Sequence, residues 1–140
     1  MLNIQNLVNF QIDQESLKDI LNHLEIKREI DLIVCDNSYI QQLNQEFRDK
    51  NSPTDVLSFP VEGEFETLPL GSIVISKDKV EEASNEFGHS PKEEFALLFI
   101  HAILHLLGFD HEVDDGLMRE KEKEIITKFN LPDSLIIRSE

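Results

Sequence analysis

Residues 90–108 read SPKEEFALLFIHAILHLLG and form the most apolar part of a chain of 140 residues. Ser90 can accept a hydrogen bond as the N-cap of a helix, Pro91 suits the first helical position, and Glu93 can complete a capping box. Gly108 can adopt the left-handed conformation that ends a helix. The segment therefore predicts one buried central helix, which is shorter than the roughly 20 apolar residues needed to span a bilayer.

Four short runs before this helix are rich in β-branched and apolar residues, which favours β-strands. They lie at residues 2–7, Ile30–Cys35, Val56–Val61 and Ile73–Ile75. An acidic segment separates the last two runs and is expected to be an exposed loop or a hairpin tip.

Further segments place apolar residues at helical spacing and predict additional helices. The first follows Asp13 and the second follows Asn37, because both side chains can cap a helix N-terminus. In the second of these helices, Phe47 is expected on the inner face. A third helix is predicted over Lys77–Phe87 and a last one over Glu112–Phe129.

The last helix mixes lysines with Glu120, Glu122 and Glu124, and this charged series is expected to face solvent. Strands come singly between helices along the chain, which favours a mixed sheet. We therefore predict one domain over residues 1–140, an α+β fold in which about four strands pack with about five helices.

The chain carries 13 Lys and Arg against 28 Asp and Glu, a net charge of −15. This balance argues against a protein that coats nucleic acid non-specifically, because such proteins present a basic face. The single Cys35 allows no internal disulfide and fits a reducing compartment. Residues 1–14 lack the pattern of a signal peptide. A cytoplasmic protein with no membrane association is the expectation.

Two histidines of the central helix, His101 and His105, are four residues apart, which places them about 40° apart on one face. At this spacing two imidazoles can bind one metal ion. After the Gly108 turn, His111 can supply a third nitrogen. Three histidines without a fourth protein ligand leave a position for water, as in catalytic zinc sites. The alternative is a set of histidines hydrogen-bonded separately, but their apolar surroundings favour one zinc ion per chain at the end of the helix.

The histidine spacing also matches that of H-E-x-x-H-x-x-G-x-x-H zinc proteases, with one difference. Ala102 stands where those proteases need a glutamate as the general base. RNA does not need that base in the same way, because its 2′-hydroxyl already lies beside the phosphate. The difference disfavours a peptidase and leaves phosphodiester chemistry open.

Three blocks of the chain resemble the YbeY family of bacterial zinc-dependent endoribonucleases. The run HAILHLLGFDH at 101–111 resembles the signature H-G-x-L-H-L-x-G-[YF]-D-H. The runs LNQEFR at 43–48 and TDVLSFP at 54–60 resemble N-x-x-[YF]-R…T-D-V-L-S-F-P, and LGSIVIS at 70–76 resembles L-G-D-I-x-I-S. Their order and spacing agree over nearly the whole chain.

The resemblance implies a zinc ion held by His101, His105 and His111, and catalytic roles for these residues and Arg48. It also implies a single-strand-specific endoribonuclease that matures the 3′ end of 16S ribosomal RNA and takes part in ribosome quality control. The implied partners are single-stranded RNA and the small ribosomal subunit or its assembly proteins, and DNA is not among them. Two departures stand out, because Ala102 replaces the usual Gly and Ser72 replaces the usual Asp.

Arg48 can be interpreted in two ways. Its guanidinium fork can bind a phosphate through two hydrogen bonds and stabilise charge that develops on it. Alternatively, it is an exposed cation at a helix end that pairs with Glu46 or Asp49. We expect most carboxylates to lie away from the metal, where the zinc ion and Arg48, with Lys50 as a further candidate, make a small positive patch.

Three further residues are candidates for contacts with a ligand histidine or with substrate. Asp110 can hold a histidine in one tautomer, or it can cap the turn after Gly108. Thr54 and Asp55 are substrate candidates that can also simply begin a strand. His89 is interpreted as a loop residue and not as a fourth metal ligand.

Three functions remain open at this point. The first is a zinc-dependent endoribonuclease, and the second is a zinc hydrolase of another substrate class. The third is a non-catalytic ribosome-assembly factor in which zinc only stabilises the fold. The net charge favours the third, because RNA affinity depends on neutralised phosphates, whereas an open metal position favours catalysis.

Overall fold

A computed structural model describes residues 1–63, 65, 67–110 and 112–132. These residues contain four strands and five helices, as predicted. In chain order they are β1 (Leu2–Asn6), α1 (Gln14–His23), β2 (Ile30–Cys35), α2 (Asn37–Arg48), β3 (Val56–Pro60), β4 (Gly71–Ser76), α3 (Lys77–Phe87), α4 (Pro91–Leu106) and α5 (Leu117–Lys128).

The four strands form one mixed sheet in the order β1-β2-β4-β3. The β1–β2 and β2–β4 pairs are parallel, whereas β3 pairs antiparallel with β4 and forms an edge of the sheet. The predicted α+β fold is therefore confirmed.

Side chains of successive strand residues point to opposite faces of the sheet, so the two faces bury different sets of residues. Leu32 of β2 and Ile73 of β4 belong to the larger core, which also contains residues of α1, α4 and α5. On the other face, Cys35 and Val74 pack with Ile40 of α2 in a smaller core. Burial raises the pKa of the Cys35 thiol to about 12, so the thiol is neutral at physiological pH.

Helix α4 is the central helix and begins with the predicted capping box. The Ser90 hydroxyl accepts a hydrogen bond from the Glu93 amide, and the Glu93 carboxylate accepts one from the Ser90 amide. Eleven of its residues are buried, because the helix packs against the sheet and against other helices. The chain leaves α4 through Gly108, whose φ of +99° lies in the left-handed region. No helix in the described part of the chain has the length and apolarity to cross a bilayer.

Two details of α2 differ from the prediction. Its N-cap is Asp36, whose carboxylate accepts from the Tyr39 amide, whereas the Asn37 side chain accepts from the Ser76 hydroxyl of β4. Phe47 is 60% exposed and does not join the core. The last turn of α2 contacts edge strand β3 through a Phe47–Phe59 ring contact, and an edge strand offers less cover than the middle of a sheet.

Helix α5 begins at Leu117, five residues later than predicted, because Asp114 holds the chain in a turn. Its carboxylate accepts hydrogen bonds from the Gly116 and Met118 amides. The expectation that Glu122 faces solvent is wrong, since this residue is only 2% exposed. Glu122 lies one turn after the buried Met118 and therefore on the inner face.

Gly71 is required by the close approach of strand β3 and helix α4. A Cβ atom at this position would lie 2.5 Å from the Phe59 carbonyl oxygen and 2.7 Å from Cδ2 of Leu106.

We expect Gly71→Ala to lower the free energy of unfolding by about 1–3 kcal/mol through overpacking, in addition to roughly 1 kcal/mol for its positive φ. Chemical denaturation measures the loss. Gly88→Ala is the control, because Gly88 has a φ of +72° but open space at the Cβ position. Equal losses in both variants would contradict the proposed close contact.

Candidate active site

An open cleft of about 860 Å³ lies along edge strand β3. Its walls come from the end of α2, from strand β3 and the residues just before it, from the end of α3, and from helix α4 and the turn after it. The sequence-predicted residues that line it are Arg48, Thr54, Asp55, His101, His105 and Asp110. The fold thus brings together candidates from separate segments. His111, the remaining predicted ligand, lies outside the described residues.

His101 and His105 of α4 meet through their Nε2 atoms, which are 3.2 Å apart. The ring centroids are 4.8 Å apart and the ring planes are inclined by 76°. Both residues are partly buried and line the cleft. The helical spacing therefore brings two imidazole nitrogens to one point, as the sequence predicts.

The opposite nitrogen of each ring contacts an acceptor. Nδ1 of His101 lies 2.6 Å from Oε2 of Glu122, and Nδ1 of His105 lies 3.1 Å from the Phe109 carbonyl oxygen. A carbonyl or carboxylate oxygen can only accept, so both Nδ1 atoms carry the proton. The two Nε2 lone pairs then face each other. A proton or a metal ion shared by both nitrogens would stabilise this arrangement.

The donor set fits a zinc ion. Two nitrogens bound tetrahedrally at about 2.0–2.1 Å lie roughly 3.3–3.4 Å from each other, and the Nε2 atoms of His101 and His105 are 3.2 Å apart. Hydrogen bonds from ligand imidazoles to carboxylate or backbone oxygens are also usual in metal sites. Within the described residues there is no group of three or more His, Cys, Asp or Glu side chains placed to hold a metal.

Glu122 is the residue that sequence reasoning missed at this site. It is 2% exposed and reaches His101 from α5, across 21 residues of sequence. Met118, Glu122 and Ile125 recur at i, i+4 and i+7, and both apolar members are buried. This periodicity indicates that Glu122 faces inward, but the charged residues on both sides of it in the sequence favoured a solvent-exposed position.

Arg48 is the last residue of α2, is exposed, and extends into the cleft wall. Within the described part of the chain, no ion pair joins Arg48 to Glu46 or Asp49. Asp55 lies just before β3, where its carboxylate accepts a hydrogen bond from the Val56 amide. Its backbone oxygen accepts from the Ser76 amide of β4, so Asp55 also begins the strand pairing.

Asp110 accepts a hydrogen bond from the Glu112 amide, which is the turn-capping contact considered above. Asp55, Asp110 and Glu112 all place carboxylates at the cleft, and Lys50 is not among its described lining residues. The structure therefore places Arg48 but not Lys50 at the cleft, and the positive patch expected around the zinc ion stays a prediction. Among the described lining residues, the cleft carries one guanidinium and three carboxylates.

Three other residues that the sequence draws attention to add no polar side chain to the described lining of the cleft. Ser72 pairs within the sheet between Asp31 and Phe59 and is not among the described lining residues. Ala102 lies between the two histidines on the cleft wall and offers only a methyl group. His89 lies between α3 and α4 and contacts the buried Glu94 at 2.7 Å.

Comparison with known proteins gives consistent matches over the length of the chain. A family model described as Endoribonuclease YbeY matches residues 3–130. A protein of Sulfurovum sp. named Endoribonuclease YbeY is 50% identical, with 100% of this chain and 98% of that protein covered. One of the same name from Aliarcobacter butzleri is 55% identical, with 99% of each chain covered. A solution structure of a Thermotoga maritima protein matches with a TM-score of 0.60 and 30% identity, covering 93% of this chain and 92% of that chain.

The contact between Glu122 and His101 predicts a difference between two glutamates of α5. We expect Glu122→Ala to remove the acceptor of the His101 Nδ1–H and to lower the free energy of unfolding by about 1–3 kcal/mol. Glu122→Gln keeps an acceptor oxygen and should retain the Nδ1–H tautomer, which ¹⁵N NMR of the imidazole reports. The exposed Glu120→Ala is the control, with a change of less than about 0.5 kcal/mol. An unchanged His101 tautomer in Glu122→Ala would show that Glu122 does not orient the ring.

Proposed function

Because this chain belongs to the YbeY family of endoribonucleases, we propose that it cleaves phosphodiester bonds in single-stranded RNA with the help of one zinc ion. The observation that carries the proposal is the pair of Nε2 atoms of His101 and His105, held 3.2 Å apart in an open cleft that also contains Arg48. A metal-dependent nuclease needs a site for the cation and an open cleft beside it that the nucleic acid can enter.

His101, His105 and His111 would hold the zinc ion. The Glu122 carboxylate and the Phe109 carbonyl support the proposal, because they orient two of the three rings with Nε2 toward the cleft. When bound, zinc acts as a Lewis acid on a phosphoryl oxygen and lowers the pKa of water. Two oriented imidazoles are positioned before the ion binds, which reduces the entropy lost on binding.

Arg48 supplies the fixed positive charge for the substrate. Its guanidinium binds a phosphate through two hydrogen bonds and stabilises the additional charge that develops on the phosphoryl oxygens during cleavage. Ala102 offers no carboxylate beside the histidines, which disfavours peptide hydrolysis. RNA differs from a peptide because its own 2′-hydroxyl can attack the adjacent phosphorus, with the hydroxyl proton passing to a base such as hydroxide and the bond to the 5′-oxygen breaking.

We extend the proposal to the biological substrate on the resemblance of the motifs alone. It assigns the chain to maturation of the 3′ end of 16S ribosomal RNA and to ribosome quality control in the cytoplasm. The partners are then the small ribosomal subunit or its assembly proteins. An acidic protein fits this setting, because a partner that presents the RNA end compensates for weak direct attraction.

The negative charge of the protein favours a second function. The net charge of −15 and the three carboxylates at the cleft oppose tight RNA binding and favour a non-catalytic assembly factor containing zinc. Single-turnover cleavage of a single-stranded RNA separates the two functions. The endoribonuclease cleaves, loses activity with a chelator and regains it with zinc. A zinc-loaded protein that leaves the RNA intact would instead be the assembly factor.

We predict about one zinc ion per chain in protein purified without added metal. His105→Ala should lose most of it, because one of the two facing Nε2 atoms is removed. Metal analysis by mass spectrometry measures the content. His23→Ala is the matched control, since His23 lies on α1 and contacts Glu124, away from the cleft. Full zinc retention in His105→Ala would place the metal elsewhere.

We predict that Arg48→Ala keeps its zinc and cleaves RNA about 100- to 1,000-fold more slowly, as expected when a donor to developing charge is removed. Arg48→Lys should recover only part of the rate, because an ammonium group cannot make the two-point contact. Parallel measurements of zinc content and single-turnover rate test this. Loss of zinc together with activity would mean that Arg48 acts structurally.

A further inference from the structure

Three phenylalanines from three different elements line the cleft. Phe47 comes from α2, Phe59 from β3 and Phe87 from α3. Phe47 is 60% exposed, whereas Phe87 is 46% exposed and stacks on His89, with ring centroids 6.3 Å apart and planes inclined by 13°. Exposed aromatic rings collected at one concave site are typical of binding surfaces, since burial elsewhere would be more favourable.

Packing explains Phe59 but not the exposure of Phe47. Phe59 joins the smaller core and contacts Phe47 edge-on, with ring centroids 5.2 Å apart and planes inclined by 64°. This contact supports the Phe47 ring while most of its surface stays accessible. Phe47 directly precedes Arg48 on α2, so an aromatic surface and the phosphate-binding guanidinium lie side by side at the cleft.

The charges of the cleft limit what phosphate contacts can contribute. Among the described lining residues, Arg48 is the single lysine or arginine, whereas Asp55, Asp110 and Glu112 are acidic. A polyanion bound mainly through its backbone needs several cations. With Arg48 and the proposed zinc ion as its cations, the cleft offers few phosphate contacts, and further affinity has to come from contacts to the bases. Base–aromatic stacking suits this role, because removal of one such ring weakens binding by roughly 5- to 150-fold per base.

We propose that unpaired bases of the RNA substrate stack on Phe47 and Phe87, with Phe59 holding the Phe47 ring in place. The proposal rests on the proposed endoribonuclease function and names how its substrate is recognised. Every base has an aromatic face, so stacking tolerates many sequences. A duplex covers those faces in its own stack, whereas a single strand leaves them accessible. The cleft thereby selects single strands without a basic groove.

The test measures binding of a short fluorescein-labelled single-stranded RNA by anisotropy, and the RNA is checked afterwards for intact length. Phe47→Ala and Phe87→Ala should each weaken binding about 5-fold or more and leave the salt dependence unchanged, because phosphate contacts are kept. Phe65→Ala is the matched control, since Phe65 is 75% exposed but is not among the lining residues. Its affinity should equal that of the unchanged protein.

Two further measurements do not depend on the folding of the alanine variants. An oligonucleotide with abasic sugars should bind the unchanged protein at least 5-fold more weakly than the same length with bases. Phe47→Trp should keep the affinity, and its fluorescence should be quenched by RNA, because bases stacked on an indole quench it. The chain has no other tryptophan, so the signal reports this position alone.

The outcomes separate this inference from the proposed function. RNA that is bound through its bases but never cleaved would refute the endoribonuclease and leave the stacking surface standing. Cleavage with equal binding of abasic and normal strands, or with no loss in the two alanine variants, would overturn the stacking surface. The stacking surface would also be overturned if the protein showed no detectable binding to single strands. The same holds if the alanine variants bind RNA normally but no longer bind a protein partner.

Discussion

The burial of helix α4 is the constraint on which the site depends. A helix that is apolar on nearly all sides places His101 and His105 where an unsatisfied ring nitrogen is unfavourable. The structure satisfies each ring from a different source, a carboxylate of α5 for His101 and the backbone carbonyl of Phe109 for His105. Because both partners take the Nδ1 side, both Nε2 atoms turn toward the cleft. The hydrogen bonds that satisfy the two partly buried rings therefore also fix the orientation of both Nε2 atoms at the cleft.

The cleft itself follows from the mixed sheet. Strand β3 runs antiparallel to β4 at the edge of the sheet, and its outer side has no further strand among the described residues. The end of α2 and the histidines of α4 therefore stand along an open edge. Gly71 allows β3 and α4 to approach closely at one end of this edge, since any Cβ atom there would meet the Phe59 carbonyl. The cleft is open because the sheet ends there.

Charged and aromatic side chains have different roles in the RNA recognition that we propose for this cleft. An acidic protein whose described cleft residues include one guanidinium gains little from long-range attraction to RNA. The same acidic surface discourages nonspecific binding to other polyanions. Exposed rings beside Arg48 offer contacts that do not depend on net charge.

The sequence alone determined the features that depend on near neighbours. The Ser90–Glu93 capping box, the end of α4 at Gly108 and the four-residue histidine spacing are set by local hydrogen bonds and helical periodicity. The strands and the order of elements followed from runs of apolar residues, which are also local. The motif blocks identified the family, because their spacing carries information that survives without any coordinates.

Only the tertiary structure decided which distant residues meet. Asp36 caps α2, whereas the Asn37 side chain accepts a hydrogen bond from Ser76 of strand β4, a contact across 39 residues of sequence. Phe47 is exposed because it contacts Phe59 on the edge strand β3, where the sheet offers little cover, and periodicity within one helix cannot show this. Glu122 meets His101 because α5 packs on α4 with its Met118 face inward. Each depends on long-range packing, where the free energy of burial outweighs local preference.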